Sequence, residues 1–104
     1  MSKYDEMSDA KIDYLVKGVV YGHNDKDINR LFHGGRMRFC NNPNDAWPII
    51  VENEIDLISP VSNGTSEWQA VKFEPIGLGR EVLNCHENPL RAAMIVFLMM
   101  KDGE

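Results

Sequence analysis

The sequence has only two cysteines, Cys40 and Cys85, and it contains no Cys-x-x-Cys or His-x-x-x-His pair. The remaining soft metal ligands are the histidines at positions 23, 33 and 86. A structural zinc site usually takes four such ligands in close pairs, and the adjacent residues Cys85 and His86 would point to opposite faces of a strand. Two cysteines also do not make a disulfide framework. We therefore expect two free thiols, no metal and no cofactor.

The sequence also lacks the glycine-rich loops that bind phosphates. It has no Walker loop and no dinucleotide fingerprint, and Gly77-Leu-Gly79 is too short to be either. No block of five like charges occurs, and sixteen acidic residues against eleven basic ones give a net charge of −5. Non-specific nucleic-acid binding usually leaves a basic footprint. The composition therefore argues against direct nucleic-acid binding.

No apolar segment is long enough to cross a membrane. The longest run, residues 92–100, is well below the roughly 20 residues that a spanning helix needs. Residues 1–6 contain no apolar run of signal-peptide length. With 104 residues, 26% charged and 43% hydrophobic, the chain fits one globular domain over residues 1–104. We expect a cytoplasmic protein with no membrane association.

Residues 88–101 predict a long apolar helix that the rest of the chain surrounds. Asn88 is a favoured N-cap, and Pro89 suits the first helical position. Every residue from 92 to 100 is apolar, so both sides of this helix require burial. Two interpretations remain open: the rest of the chain covers both sides, or one side pairs with a second copy in a homodimer.

A first amphipathic helix is predicted over residues 9–20, after the N-cap Ser8. Its apolar stripe has helical spacing and consists of Ile12, Leu15, Val16 and Val19. The opposite face is predicted to be solvated, and it carries Lys11, Asp13 and Lys17. Gly18 lowers the helix propensity by about 1 kcal/mol relative to alanine, which indicates either fraying or a close approach by another element. Gly22 is a natural stop.

The next segments are predicted to be irregular or short. Residues 23–35 are polar and turn-rich, with one short helical turn at most, and we expect them to be the mobile part of the chain. Residues 36–40 alternate in polarity and predict a short strand. A helix over residues 46–53, capped by Asp45, keeps Pro48 in the first turn. A start at Asn42 would place Pro48 in the helix interior at a cost of about 3 kcal/mol.

Several short strands are predicted in the second half of the chain. They lie around residues 55–58, 68–74 and 80–83, with a turn at 62–66 and a bend at 75–79. Strands joined by short turns favour an antiparallel sheet. We therefore predict an α+β fold, in which three to four antiparallel strands pack against an N-terminal helix, a short middle helix and the long apolar C-terminal helix.

Two segments resemble a known family. The first is Cys40-Asn-Asn-Pro-Asn-Asp-Ala-Trp-Pro-Ile-Ile-Val-Glu-Asn53, and the second is Asn88-Pro-Leu-Arg-Ala-Ala-Met-Ile-Val-Phe-Leu-Met-Met100. Both are similar to signature segments of the phage NinX-like family, small proteins of lambdoid phages and enterobacterial prophages. The resemblance implies a phage or prophage accessory protein in a bacterial cytoplasm. It assigns no catalytic residue.

The start of the C-terminal helix is the candidate ligand site. Arg91 lies in its first turn, where free backbone donors and the helix dipole attract anions. His86 is close in sequence, and Trp47 offers a flat ring for stacking a base. Glu87 opposes an anion there, and two of the three also have a structural interpretation: a core tryptophan, and a surface arginine that caps a neighbouring chain end.

The function predicted from these features is non-enzymatic binding to a host or phage protein. The alternative is a small-ligand protein that holds a nucleotide- or phosphate-like molecule with Trp47, His86 and Arg91. A hydrolase that uses Cys40 or Cys85 as nucleophile comes third, because neither cysteine lies in a catalytic motif.

Overall fold

The computed structural model describes residues 2–73 and 81–102. Within these residues the fold is α+β, as the sequence predicted, with five helices and one three-stranded sheet. The elements in chain order are α1 (Asp9–Tyr21), α2 (Lys26–His33), α3 (Pro43–Glu52), β1 (Asp56–Ile58), α4 (Pro60–Asn63), β2 (Trp68–Phe73), β3 (Glu81–His86) and α5 (Pro89–Asp102).

Helix α5 lies at the centre of the molecule. The Asn88 side chain accepts hydrogen bonds from the backbone N–H groups of Leu90 and Arg91, which satisfies two donors of the first turn. The helix packs against β2 and β3 on one side and against α1 and α3 on the other. Its residues 92–98 are at most 3% exposed. The apolar run is therefore covered on both sides by the same chain.

Helix α1 begins after the Ser8 cap and ends at Gly22, as the sequence predicted. Ile12 and Val16 are fully buried, but Val19 is exposed. The prediction of a solvated opposite face was wrong for two residues, because Asp13 and Lys17 are both buried. The spacing of the apolar residues predicted burial of one face of α1 only. Residues that follow α1 in the chain also cover Asp13 and Lys17 on the other face.

Residues 26–33 form helix α2, so the prediction of a loop with a single helical turn was wrong. The Asp25 side chain accepts hydrogen bonds from the N–H groups of Asp27 and Ile28 and begins the helix. No residue of α2 is fully buried. Instead, Lys17 of α1 donates from Nζ to Asn29 Oδ1 at 2.6 Å and lies over the Phe32 ring, which also packs against the Tyr14 ring of α1.

Residues 36–40 form no strand, which contradicts the prediction from their alternating polarity. Phe39 and Cys40 are both buried, so consecutive side chains enter the core instead of pointing to opposite faces. The backbone N–H of Arg38 donates to the Asp45 side chain, and that of Cys40 donates to Asp13 Oδ1. These bonds replace the pairing that a strand would need.

Helix α3 begins at Pro43 with Asn42 as its N-cap, so Pro48 lies in the helix interior. The prediction of a later start at Asp45 was wrong. The missing Pro48 N–H would have donated to the Asn44 carbonyl, and both residues are exposed, so water can hydrate that carbonyl. The caps Asn42 and Asn53 and the buried residues of α3 stabilise the helix, and this stabilisation offsets the cost of one lost hydrogen bond.

The sheet is antiparallel, with strand order β1-β2-β3. Leu57, Ala70 and Asn84 pair across the three strands and face α5, while Val71 and Leu83 pair on the opposite face. Strand β3 is longer than predicted, and α4 overlaps the start of the predicted turn at 62–66. The predicted bend at 75–79 lies outside the described residues. None of the described helices is both long and apolar enough to span a bilayer.

Candidate functional site

Arg91 lies at the start of α5, as predicted, but its side chain points into the protein. The residue is 5% exposed. Its Nη1 donates to Asp9 Oδ1 at 2.7 Å, and its Nη2 donates to three backbone carbonyls, those of Tyr4, Asp5 and Met7. The guanidinium therefore holds residues 4–9 against the first turn of α5.

The contact with Arg91 lowers the pKa of the Asp9 carboxyl. Partial burial raises its pKa, but the hydrogen bonds from Arg91 and Asn41 together outweigh burial and hold the pKa below its ordinary value. Asp9 is thus the local counter-charge of Arg91. An anionic ligand at this helix start would have to compete with a carboxylate that is already in place.

His86 and Asn88 form the turn that leads into α5. The Asn88 backbone N–H donates to His86 Nδ1 at 2.9 Å, and Asn88 Nδ2 donates to the Cys40 carbonyl at 2.7 Å. In the first contact His86 Nδ1 is the acceptor, so this ring nitrogen is directed at the start of α5. The second contact fixes the segment before α3 to the start of α5.

Trp47 lies on α3 and is 57% exposed. Among residues 2–73 and 81–102, no hydrogen bond or ring contact joins Trp47 to His86 or Arg91. The structure therefore brings His86 and Arg91 to one end of α5 and leaves Trp47 on a separate helix.

The two cysteines differ in environment. Cys40 is fully buried, and burial, followed by the nearby Asp13 carboxyl, raises the pKa of its thiol strongly. A thiol in this state is a poor nucleophile. Cys85 is exposed on β3. In the described part of the chain, no group of three or more His, Cys, Asp or Glu side chains could hold a metal.

Asp13 is a buried carboxyl that the sequence analysis missed. Burial raises its pKa, and the hydrogen bond from the Cys40 N–H only partly lowers it. Its oxygen accepts that N–H at 2.9 Å and holds residues 38–40 against α1. A single acidic residue on an otherwise polar helix face gave no signal of this role.

A shallow surface with both apolar and polar residues lies between the end of α1 and α3, and we call it the α1–α3 surface. Two adjoining depressions of about 310 and 190 Å³ share Val20, Ile49 and Glu52 in their walls. The apolar residues of this surface are Val19, Val20, Tyr21, Met37, Phe39, Pro48, Ile49 and Phe97. The sequence signal was present in the run Val19-Val-Tyr21, which continues past the buried stripe of α1.

A second cavity, of about 690 Å³, lies along the outer edge of β3. Its walls are four consecutive residues of β3 together with side chains from the N-terminal segment and from α5: Leu83, Asn84, Cys85, His86, Ser2, Asp5 and Met99. Asn84 Nδ2 donates to Asp5 Oδ1 at 2.7 Å, which connects the strand to the N-terminal segment. We call this cavity the β3 groove.

Two buried polar atoms in the described part of the chain have no hydrogen-bond partner, Arg91 Nε and Asn84 Oδ1. Each costs about 1–3 kcal/mol. Both belong to side chains whose other polar atoms bind residues 4–9. The two unsatisfied atoms thus lie where β3 and α5 attach to the N-terminal segment.

Comparison with known proteins gives one clear result. No curated protein and no solved structure matches the chain. A family model described as bacteriophage P22 NinX matches residues 3–101, which include every helix and strand described above except the last residue of α5. The chain therefore belongs to the NinX family of phage proteins.

Proposed function

We propose that this phage protein is a non-enzymatic binding module that acts on a host or phage protein through the α1–α3 surface. The observation that carries the proposal is the exposure of three consecutive large side chains at the end of α1, Val19, Val20 and Tyr21, which are 46%, 39% and 47% exposed. Contiguous exposed apolar residues in a soluble domain commonly mark an interaction surface.

The charges around this surface favour a partner with basic residues. Asp45 and Glu52 belong to the walls of the two depressions, and Lys101 is the single basic residue there among the described residues. The whole chain has a net charge of −5. A partner segment with an apolar centre and flanking Lys or Arg side chains would complement both features.

The test compares two variants of the tagged protein in affinity capture from a lysate of the bacterial host. Val20→Arg places a charge in the centre of the surface, and Val61→Arg is the matched control, because Val61 is 94% exposed and lies on α4. We expect a partner that wild type and Val61→Arg both retain and that Val20→Arg loses.

Binding of that partner, once purified, is then titrated directly. A charge in the centre of an apolar interface should weaken the affinity at least about tenfold, as for a residue worth over 1 kcal/mol. Equal affinity of the two arginine variants would contradict the assignment of the surface. We further propose that the protein acts in the host cytoplasm as one domain without a cofactor, in line with its phage family.

The alternative, a nucleotide- or phosphate-like ligand held by Trp47, His86 and Arg91, has less support. Both terminal nitrogens of the Arg91 guanidinium already donate to protein oxygens. A thermal-shift measurement with nucleotides and inorganic phosphate tests it, because a ligand that binds only the native state must raise the unfolding midpoint. A rise that Arg91→Lys abolishes would favour this alternative over protein binding.

A further inference from the structure

Strand β3 has a free edge. In the sheet order β1-β2-β3, its only strand partner within the described residues is β2. Backbone groups of an antiparallel strand point alternately to its two sides. About half of the N–H and C=O groups of β3 therefore point away from β2. No described backbone group outside the sheet bonds to them.

This edge lacks the features that usually prevent strand addition. Edge strands are commonly protected by lysine, proline, a bulge or a covering element. Strand β3 carries one charged residue, Glu81 at its start, and its remaining residues, Val-Leu-Asn-Cys-His, include no lysine or proline. The opposite edge, β1, has only three residues. Of the two edges, β3 alone offers the length for stable pairing.

The β3 groove provides the space for another strand. Four consecutive β3 residues form one wall, and the N-terminal segment and Met99 of α5 form the others. An extended chain in this position would hydrogen-bond to the β3 backbone and could place an apolar side chain against Leu83 or Met99. The cavity of about 690 Å³ is within the range of known ligand sites.

The charges of the groove indicate what kind of strand fits. Among the residues that line it, Asp5 is the one carboxylate, and no lysine or arginine is present. A second copy of the chain would bring another Asp5 and another net charge of −5 to the same place. A strand with basic side chains meets no such repulsion.

We propose that the β3 groove binds an extended, basic segment of another protein, which pairs with β3 as a fourth antiparallel or parallel strand. This site is separate from the α1–α3 surface, and its test does not depend on that surface. Backbone pairing supplies the affinity. The two oxygens of Asp5 already accept hydrogen bonds from the Ser2 N–H and Asn84 Nδ2, so Asp5 favours a lysine or arginine on the bound strand through its negative charge.

The test uses a capped hexapeptide, Thr-Lys-Val-Lys-Val-Thr, and amide resonances of the isotope-labelled protein. We expect the resonances of residues 83–86 to shift and their outward amides to exchange more slowly with solvent. The same peptide with Glu in place of Lys should bind about two- to fivefold more weakly, the size of an exposed ion pair. Asp5→Asn should remove that difference.

Two N-methylated peptides test backbone pairing without changing the protein. Each carries methyl groups on alternate amides, so one peptide keeps the donors that face β3 and the other loses them. We expect the peptide that keeps the donors facing β3 to bind, and the peptide that loses them not to bind. Equal binding of both would overturn the proposal, and so would an absence of shifts at residues 83–86 at millimolar peptide.

A matched pair of variants locates the site. Leu83→Lys adds a positive charge on the edge strand, whereas Phe73→Lys adds the same charge on the same face of the sheet, but on the central strand. Weaker peptide binding by Leu83→Lys alone supports the proposal. Shifts confined to the α1–α3 surface would overturn it, as would slow exchange in β3 that depends on protein concentration without peptide, since a second copy would then occupy the edge.

Discussion

Arg91 illustrates how one residue type serves two roles that sequence alone does not separate. An arginine in the first turn of a helix suits an anion site, but it suits equally a set of backbone carbonyls. Here Nη1 and Nη2 bind Asp9 and three carbonyls of the N-terminal segment. The guanidinium is a planar fork with several donors, and this segment supplies acceptors in matching positions.

We expect Arg91→Met to lower the free energy of unfolding by about 3 kcal/mol, because it removes the buried partner of Asp9 and leaves three carbonyls without their donor. Urea denaturation measures this. Asp9→Asn is the comparison variant: it removes the counter-charge of Arg91 but keeps a side-chain oxygen for Nη1 and leaves the three carbonyls bonded, so it should cost less than Arg91→Met. A loss from Arg91→Met no larger than that of the comparison variant would show that the attachment is weak.

Asp13 should give the protein a measurable pH dependence. Burial raises its pKa in the folded state, so its contribution to stability is fully present below the unfolded pKa and is lost as pH rises through the folded pKa. Asparagine can still accept the Cys40 N–H but does not ionise. The stability of Asp13→Asn relative to wild type should therefore increase with pH across that window and then stay constant.

Urea denaturation of both proteins at a series of pH values measures this difference. Asp9 has a lowered folded pKa, so its contribution has the opposite sign and is common to both proteins. A stability difference that is independent of pH would mean that Asp13 has the same pKa in the folded and unfolded chain.

At the scale of elements, α2 contacts α1 through two side chains of α1, Lys17 and Tyr14. Lys17 Nζ donates to Asn29 Oδ1 and lies 5.3 Å from the centre of the Tyr14 ring and 5.5 Å from that of Phe32. Asn29 in turn donates to the His23 carbonyl. The buried ammonium group, together with the contact between the Tyr14 and Phe32 rings, thus links α1 to a helix that has no buried residue of its own.

We expect Lys17→Met to increase amide hydrogen exchange in α2 roughly tenfold and to leave α5 unchanged, because methionine keeps the volume but removes the cation and its hydrogen bond. Lys11→Met is the matched control. Lys11 is exposed and lies over Tyr14 alone. Equal exchange in α2 for the two variants would show that other contacts hold this helix.

Gly18 lies next to this contact between α1 and the residues that follow it. A Cβ atom there would lie 2.5 Å from Nε2 of His23, whose ring stacks on Tyr14 with centroids 4.9 Å apart. Of the two interpretations that the sequence left open, the close approach by another element is the one observed. The low helix propensity of glycine is offset by this packing of the chain after α1.

At the scale of the whole molecule, the structure removes the reason for expecting a homodimer. The sequence suggested that one side of the apolar helix could be left for a second copy. Residues 92–98 of α5 are instead buried within a single chain, so α5 offers no free side. Exposed apolar side chains remain at the end of α1, in the α1–α3 surface.

We therefore expect a monomer of 11.9 kDa in light scattering, even at high protein concentration. The net charge of −5 also opposes self-association, and raising the salt concentration tests this because it screens the repulsion. A mass of about twice the monomer would favour a homodimer. Val20→Arg would then show whether the α1–α3 surface forms it.

The sequence alone determined the α+β class, the caps and extent of α1 and α5, the strands β1 and β2, and the family. These features depend on local chemistry, such as an asparagine N-cap, a glycine stop or a run of apolar residues, that acts over one or two helical turns. The two family segments are also continuous stretches of sequence, so the family could be identified without knowing which parts of the fold these segments contact.

Only the tertiary structure decided the rest. The start of α3 at Pro43, the burial of Asp13 and Lys17, the ordering of α2 and the inward turn of Arg91 all depend on partners far away in the chain. Arg91 binds carbonyls more than 80 residues before it. A side chain's partner is set by which segments the fold brings together, and that information is absent from the spacing of neighbouring residues.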